Sequence, residues 1–61
     1  MCELSVYAVE NGRREKVMES VVRLTILEGK VRAEGIFGDF KEIAGRLTEV
    51  DIIAQEANII V

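Results

Sequence analysis

The sequence predicts an all-β fold, a small single-domain barrel or roll of short antiparallel strands, SH3-like or Sm-like in type. Three observations support this prediction. Apolar and polar residues alternate over much of the chain, as they do in half-buried strands. Glycines separate the alternating stretches at turn positions. The chain has 61 residues, of which 49% are hydrophobic, so we expect one domain over residues 1–61 with a small core.

The first predicted strand runs from Cys2 to Val9 and ends in a hairpin turn. Its even-numbered positions form one apolar face, made of Cys2, Leu4, Val6 and Ala8. Asn11 and Gly12 follow the strand. An Asn-Gly pair favours a type I′ turn, which needs a positive φ at both central residues.

Two further alternating stretches follow, Val22 to Leu27 and Val31 to Phe37. They predict strands whose apolar faces consist of Val22, Leu24 and Ile26, and of Val31, Ala33, Gly35 and Phe37. Turns are expected at residues 28–30 and 37–39, where glycines stand between the stretches.

The pattern after Phe40 is looser. Leu47 and Val50 are out of phase for one regular strand, which predicts a bulge or bend that Gly45 marks. Two segments also fit a helical spacing, Val17 to Leu24 and Ile43 to Ala54. We interpret both mainly as strand, with room for a single helical turn, because the first is rich in β-branched residues and the second contains a glycine.

The composition excludes several classes of function. The chain has no histidine, so an ordinary catalytic triad cannot form, and we expect no catalytic residue and no enzyme activity. Its net charge of −3 disfavours nucleic-acid binding, which depends on a basic surface. No apolar run approaches the roughly 20 residues of a membrane span, and no signal-peptide pattern is present. A single unpaired cysteine fits a reducing compartment, so the expected location is the cytoplasm.

Two groups of residues admit a binding role. Arg13, Arg14 and Lys16 could contact phosphate, but interleaved glutamates favour a solvated face that protects a strand edge. The three aromatic residues could stack on bases, although core packing is the commoner role of aromatics in so small a domain. They are Tyr7, Phe37 and Phe40.

Cys2 is the candidate metal ligand. It lies on the apolar face of its strand, where a free cysteine can act as a small hydrophobe. It also lies one residue from the start of the sequence, so its thiolate has nitrogen donors beside it in the chain. Planar sets of nitrogen and thiolate donors suit Ni(II), with copper as the main competitor, whereas zinc favours a tetrahedral set.

One chain supplies too few donors for such a site. If two copies meet at a two-fold axis, two Cys2 thiolates and two nitrogens can converge on one ion. Two-fold dimers are the commonest oligomers, and a small sheet with open edges gains from a partner. The chemistry therefore predicts a homodimer that holds one Ni(II).

Several short stretches resemble the CooT family of small nickel-binding proteins. They are MCE at the start, VY at Val6-Tyr7, NG at Asn11-Gly12, VMESV at 17–21, IFGD at 36–39 and GRLTEVDII at 45–53. Together they cover nearly the whole chain in the family's order. One departure is Ser20, where the family usually has aspartate.

The resemblance implies a mostly β homodimer that binds one nickel ion through Cys2. It also implies a role in supplying nickel during maturation of carbon monoxide dehydrogenase, with maturation proteins of that nickel enzyme as partners. Two alternatives remain open: an RNA-binding module, a label also given to members of the family, and a protein-interaction module in which Cys2 is a core residue.

Overall fold

Six β-strands account for most of the chain. The computed structural model describes residues 3–61. The strands are β1 (Leu4–Glu10), β2 (Arg13–Leu27), β3 (Lys30–Gly35), β4 (Phe40–Ala44), β5 (Arg46–Asp51) and β6 (Glu56–Ile60). The all-β prediction is confirmed over these residues. Both segments that also fitted a helical spacing lie mainly in strands, and no helix in residues 3–61 could cross a membrane.

The strands form one mixed sheet in the order β4-β3-β2-β1-β6-β5. Four of its ladders are antiparallel, but β1 and β6 run parallel, with Ser5 opposite Glu56 and Val9 opposite Ile60. The expectation of an entirely antiparallel sheet was therefore wrong. The expectation of a barrel was also wrong, because β4 and β5 are the two outermost strands and the sheet does not close between them.

The hairpin turns lie where the glycines predicted them. Asn11 and Gly12 have φ values of 51° and 78°, which confirms a turn with a positive φ at both central residues. Gly29 and Gly38 also have positive φ, at 75° and 85°. β3 ends at Gly35 rather than at Phe37, because Ile36 already belongs to the turn.

A bend at Ser20 divides β2 into two halves. Ser20 has a φ of 58°, and the ladder between β2 and β3 is irregular just beyond it, between Val21 and Arg23. The irregularity shifts the phase of the strand by one residue. Val21 is therefore buried while Val22 is 41% exposed, and the prediction that Val22 faces the core was wrong.

Gly45 is the single residue between the two outermost strands. Its φ is 152°, and a Cβ there would collide with the carbonyl oxygen of Ile60. Its N–H donates to the carbonyl of Gly29 at 3.1 Å. The predicted bulge is also found, since the ladder between β5 and β6 is irregular between Leu47 and Glu49. Gly45 thus lets the chain pass directly from one edge of the sheet to the other.

The core lies inside the curled sheet and consists of small aliphatic side chains. Partly buried residues around it include Leu4, Val17 and Leu24. Its buried members are Val6, Val21, Val31, Ala33, Ile43, Ala57 and Ile59. They come from five of the six strands, so the core ties the two halves of the bent sheet together.

Candidate functional site

Cys2, the predicted metal ligand, lies outside the residues that the structure describes. The first residue that it describes is Glu3, immediately before β1. Within residues 3–61, no three cysteine or carboxylate side chains are grouped so as to hold a metal ion. Cys2 as the metal ligand therefore stays a prediction.

The turn between β5 and β6 lies beside the start of β1. The Ser5 N–H donates to the Gln55 carbonyl at 2.9 Å. The Asp51 carboxylate stabilises the turn, because its Oδ1 accepts hydrogen bonds from the N–H groups of Ile53 and Ala54, each at 3.0 Å. These bonds fix the turn against the N-terminal end of the parallel strand pair.

This turn presents two isoleucines to solvent. Ile52 is 69% exposed and Ile53 is 94% exposed. Neither has a position in the core, although both carry large apolar side chains. The periodicity of the sequence did not predict that this turn lies beside β1. The turn is there because β6 pairs with β1 in parallel, and alternation within a strand does not indicate which strand it pairs with.

Ser20 stands where the CooT family, which the sequence resembles, usually has aspartate. Its carbonyl accepts the N–H of Ile36 at 2.9 Å, so the residue links the bend in β2 to the turn after β3. Aspartate and asparagine tolerate a positive φ better than most residues. The φ of 58° at Ser20 therefore gives a backbone reason for the family's aspartate that needs no metal.

The basic cluster is engaged mostly with neighbouring side chains. The Arg14 guanidinium contacts Glu56 at 2.8 Å and Asn58 Oδ1 at 3.0 Å, and Lys16 pairs with Glu19 at 3.4 Å. Among the described residues, the first half of β2 pairs with β1 alone, since the ladder to β3 begins at Val21. Charged side chains on this open edge agree with the edge-protection interpretation.

The aromatic residues are not core residues. Phe37 is 90% exposed and Phe40 is 62% exposed, so their expected core role was wrong. Phe37 lies in the turn after β3, and Phe40 begins the outermost strand β4. Tyr7 is half-buried on the outer face of the sheet, beneath the Arg14 guanidinium.

A second charge cluster lies on the outer face of β3 and β4. Glu42 accepts a hydrogen bond from Lys30 Nζ at 2.9 Å and one from an Arg32 terminal nitrogen at 3.1 Å. These bonds, first that of Lys30 and then that of Arg32, hold the pKa of Glu42 below its usual range. Two cations thus share one carboxylate, which leaves the cluster positive.

The chain and the fold both resemble known proteins. An uncharacterized protein of Methanothermobacter thermautotrophicus is 38% identical over 52 residues, covering 85% of this chain and 77% of the relative. An uncharacterized protein of Archaeoglobus fulgidus is 38% identical over 39 residues, covering 64% of this chain and 87% of the relative. The crystal structure of putative CooT from Carboxydothermus hydrogenoformans superposes with a TM-score of 0.87 at 25% identity, covering 97% of this chain and 95% of that one.

The family comparison covers nearly the whole chain. Residues 1–60 match the model of the CO dehydrogenase accessory protein CooT. Proteins of this family assist an enzyme and are not themselves the enzyme. The chain therefore belongs to the CooT family of CO dehydrogenase accessory proteins.

Proposed function

We propose that this protein binds nickel(II) and carries it to a nickel enzyme, such as carbon monoxide dehydrogenase, during the maturation of that enzyme. One ion would be held at a two-fold dimer site by the Cys2 thiolates and nitrogens near the amino terminus. The observation that carries the proposal is membership of an accessory family over residues 1–60 in a chain whose single cysteine is Cys2.

The donor chemistry supports nickel as the cargo. A thiolate with amine or amide nitrogens forms a planar donor set, which Ni(II) accepts readily. The thiol must lose its proton to bind a metal, so affinity should rise with pH through the titration of Cys2. A site with few ligands from each chain can also release the ion, as a carrier must.

Exposed apolar surface supports the homodimer. Ile52 and Ile53 lie beside the start of β1, in a turn that hydrogen bonds to Ser5. Apolar side chains presented to solvent in this way often mark an interface. A second copy that covered these isoleucines would bring the starts of the two β1 strands closer together.

The remaining parts of the proposal concern location and partners. We place the protein in the cytoplasm, where a single free cysteine stays reduced, and treat residues 1–61 as one working domain. Its partners would be a second copy and proteins of nickel-enzyme maturation. Nucleic acid is disfavoured by the net charge of −3 and by the side-chain contacts that Arg14 and Lys16 already make.

A nickel titration of the reduced protein tests the site. Thiolate-to-nickel charge-transfer absorbance should grow with added Ni(II) and saturate at roughly one ion per two chains, the ratio that a two-fold site requires. Cys2→Ala should abolish the absorbance, while Cys2→Ser should retain the fold. Saturation that survives Cys2→Ala would rule out Cys2 as the ligand.

A further inference from the structure

We infer that the outer edge of β4 is a docking site for an acidic, extended segment of a partner protein, which would add to the sheet as a seventh strand. This surface is separate from Cys2, and the inference does not depend on nickel. It combines an open backbone edge, two exposed aromatic rings and an excess of positive charge.

The backbone edge is available along β4. Within residues 3–61, every residue that pairs with β4 lies in β3. The pairing runs from Phe40 opposite Glu34 to Ala44 opposite Lys30. An outermost strand of this kind presents unpaired N–H and C=O groups on its free side. Extended peptides bind such edges through main-chain hydrogen bonds, and side chains on alternate positions supply specificity.

Aromatic surface lies next to this edge. Phe40 is 62% exposed at the start of β4, and Phe37 is 90% exposed in the preceding turn. A depression of about 370 Å³ beside Phe40 is lined by Arg32, Phe40, Lys41 and Glu42. Apolar side chains of an incoming strand would contact the rings here and remove them from water.

The charges at this edge favour an acidic occupant. Lys30 and Arg32 both bond to Glu42, which leaves one positive charge in excess. Lys41 adds a second positive charge. Its Nζ donates a hydrogen bond to the Val17 carbonyl, which carries no formal charge. The Asp39 carboxylate lies against Gly35 rather than beside these cations. Glu34, opposite Phe40, is paired with Arg23 at 3.6 Å, so this pair adds no net charge. The whole chain carries −3, so the positive charge is a local property of β3 and β4.

A second copy of this chain fits the edge poorly in the two registers nearest the middle of β4. Residues directly opposite each other in an antiparallel pair lie on the same face of the sheet. If two β4 strands pair about Lys41, the two Lys41 side chains lie opposite each other. If they pair about Glu42, the two Glu42 side chains lie opposite each other. Like charges in that position are destabilising, so these two registers disfavour a second copy, and the positive charges at the edge favour an acidic chain.

The test uses the full chain, labelled with ¹⁵N, and a synthetic octapeptide in which aspartate or glutamate alternates with valine or phenylalanine. We expect amide shifts at Phe40 to Ala44 and a saturable change on titration. The matched control peptide has lysine at each acidic position and should bind at least about tenfold more weakly, the ratio expected when a close charge contact is reversed.

Variants locate the site and separate it from folding. Lys41→Glu and Phe40→Ser should each weaken binding of the acidic peptide about tenfold, whereas Val50→Ser on the other edge strand should leave it unchanged. Shifts confined to β5, or equal binding of both peptides, would overturn the inference. Binding of oligouridine at β4, or concentration-dependent shifts there without peptide, would assign the edge to RNA or to a second copy and would also overturn it.

Discussion

The guanidinium carbon of Arg14 lies 3.7 Å from the centroid of the Tyr7 ring. The same guanidinium bonds to Glu56 and Asn58 on β6. Asn58 in turn donates from Nδ2 to Glu49 on β5 at 3.0 Å. One side chain from β2 therefore crosses β1 and connects the parallel pair β1–β6 to the outer strand β5.

Removal of this link should destabilise the fold. Arg14→Ala loses the ring contact and the ion pair, both partly exposed, so we expect the free energy of unfolding to fall by about 1 kcal/mol. Arg14→Lys keeps the charge but loses the planar guanidinium group. Its free energy of unfolding should lie between those of the wild type and Arg14→Ala. Urea denaturation measures the change. Arg13→Ala is the matched control, because Arg13 forms no ion pair within residues 3–61; an equal loss there would contradict the assignment.

The Glu42 cluster should make stability depend on pH. The pKa of Glu42 is lowered in the folded protein by Lys30 and Arg32. A carboxyl group with a lowered folded pKa contributes stability that is fully present above its unfolded pKa and is lost as the pH falls through the lower folded value. Glu42→Gln should therefore reduce the urea midpoint at pH 7 and match the wild type at the acid end. Glu28→Gln, on the nearby turn, should differ little from wild type throughout.

Ser20 and the parallel pair β1–β6 show why part of the fold could not be predicted from the sequence. The turn at Asn11-Gly12 was predictable because those residue types favour a positive φ. Serine does not, so its φ of 58° and the shifted phase of Val21 left no local signal. The parallel pairing of β1 with β6 joins the chain ends, and alternation within a strand carries no information about its neighbours.

For the candidate site, the sequence motifs predicted the family, while Cys2 as the metal ligand stays a prediction. The family motifs identified the chain's relatives from short stretches, and the comparison over residues 1–60 confirms the family. The exposure of Phe37 and Phe40 was not predictable, because an apolar residue in an alternating pattern is assumed to face the core. The turn after Gly35 removes Phe37 from that pattern, and Phe40 falls on the outer face of β4.

Substitutions at Ser20 should separate a backbone role from a metal role. Ser20→Asn should raise the melting temperature, because asparagine tolerates the left-handed region. Ser20→Val should lower the free energy of unfolding by about 2 kcal/mol, since a β-branched residue is strained there. Calorimetry on the metal-free protein measures both. An effect that appears only when nickel is present would instead assign Ser20 to the metal site.

Gly45 should tolerate no side chain. Gly45→Ala places a methyl group against the Ile60 carbonyl and near the Ile59 side chain, so we expect a loss of about 3 kcal/mol of stability from strain and overpacking. Gly29→Ala is the control. Its φ of 75° is also positive, but a Cβ there meets open space, so its cost should be only about 1 kcal/mol. Equal losses in urea denaturation would contradict a steric role for Gly45.

Ile53 should control the proposed dimer. If a second copy covers this 94% exposed side chain, Ile53→Asp would bury a carboxylate at the interface, which is unfavourable. We expect the dimer dissociation constant, measured by sedimentation equilibrium, to rise by roughly tenfold or more, the change that about 1.4 kcal/mol produces. Phe37→Asp is the matched control, since Phe37 is nearly as exposed but lies in a different turn, and it should leave the dimer unchanged.

Nickel binding should weaken together with dimer formation in Ile53→Asp, because each chain supplies only part of the donor set. A monomeric variant that still binds nickel with the affinity of the wild type would show that the metal site does not require two chains.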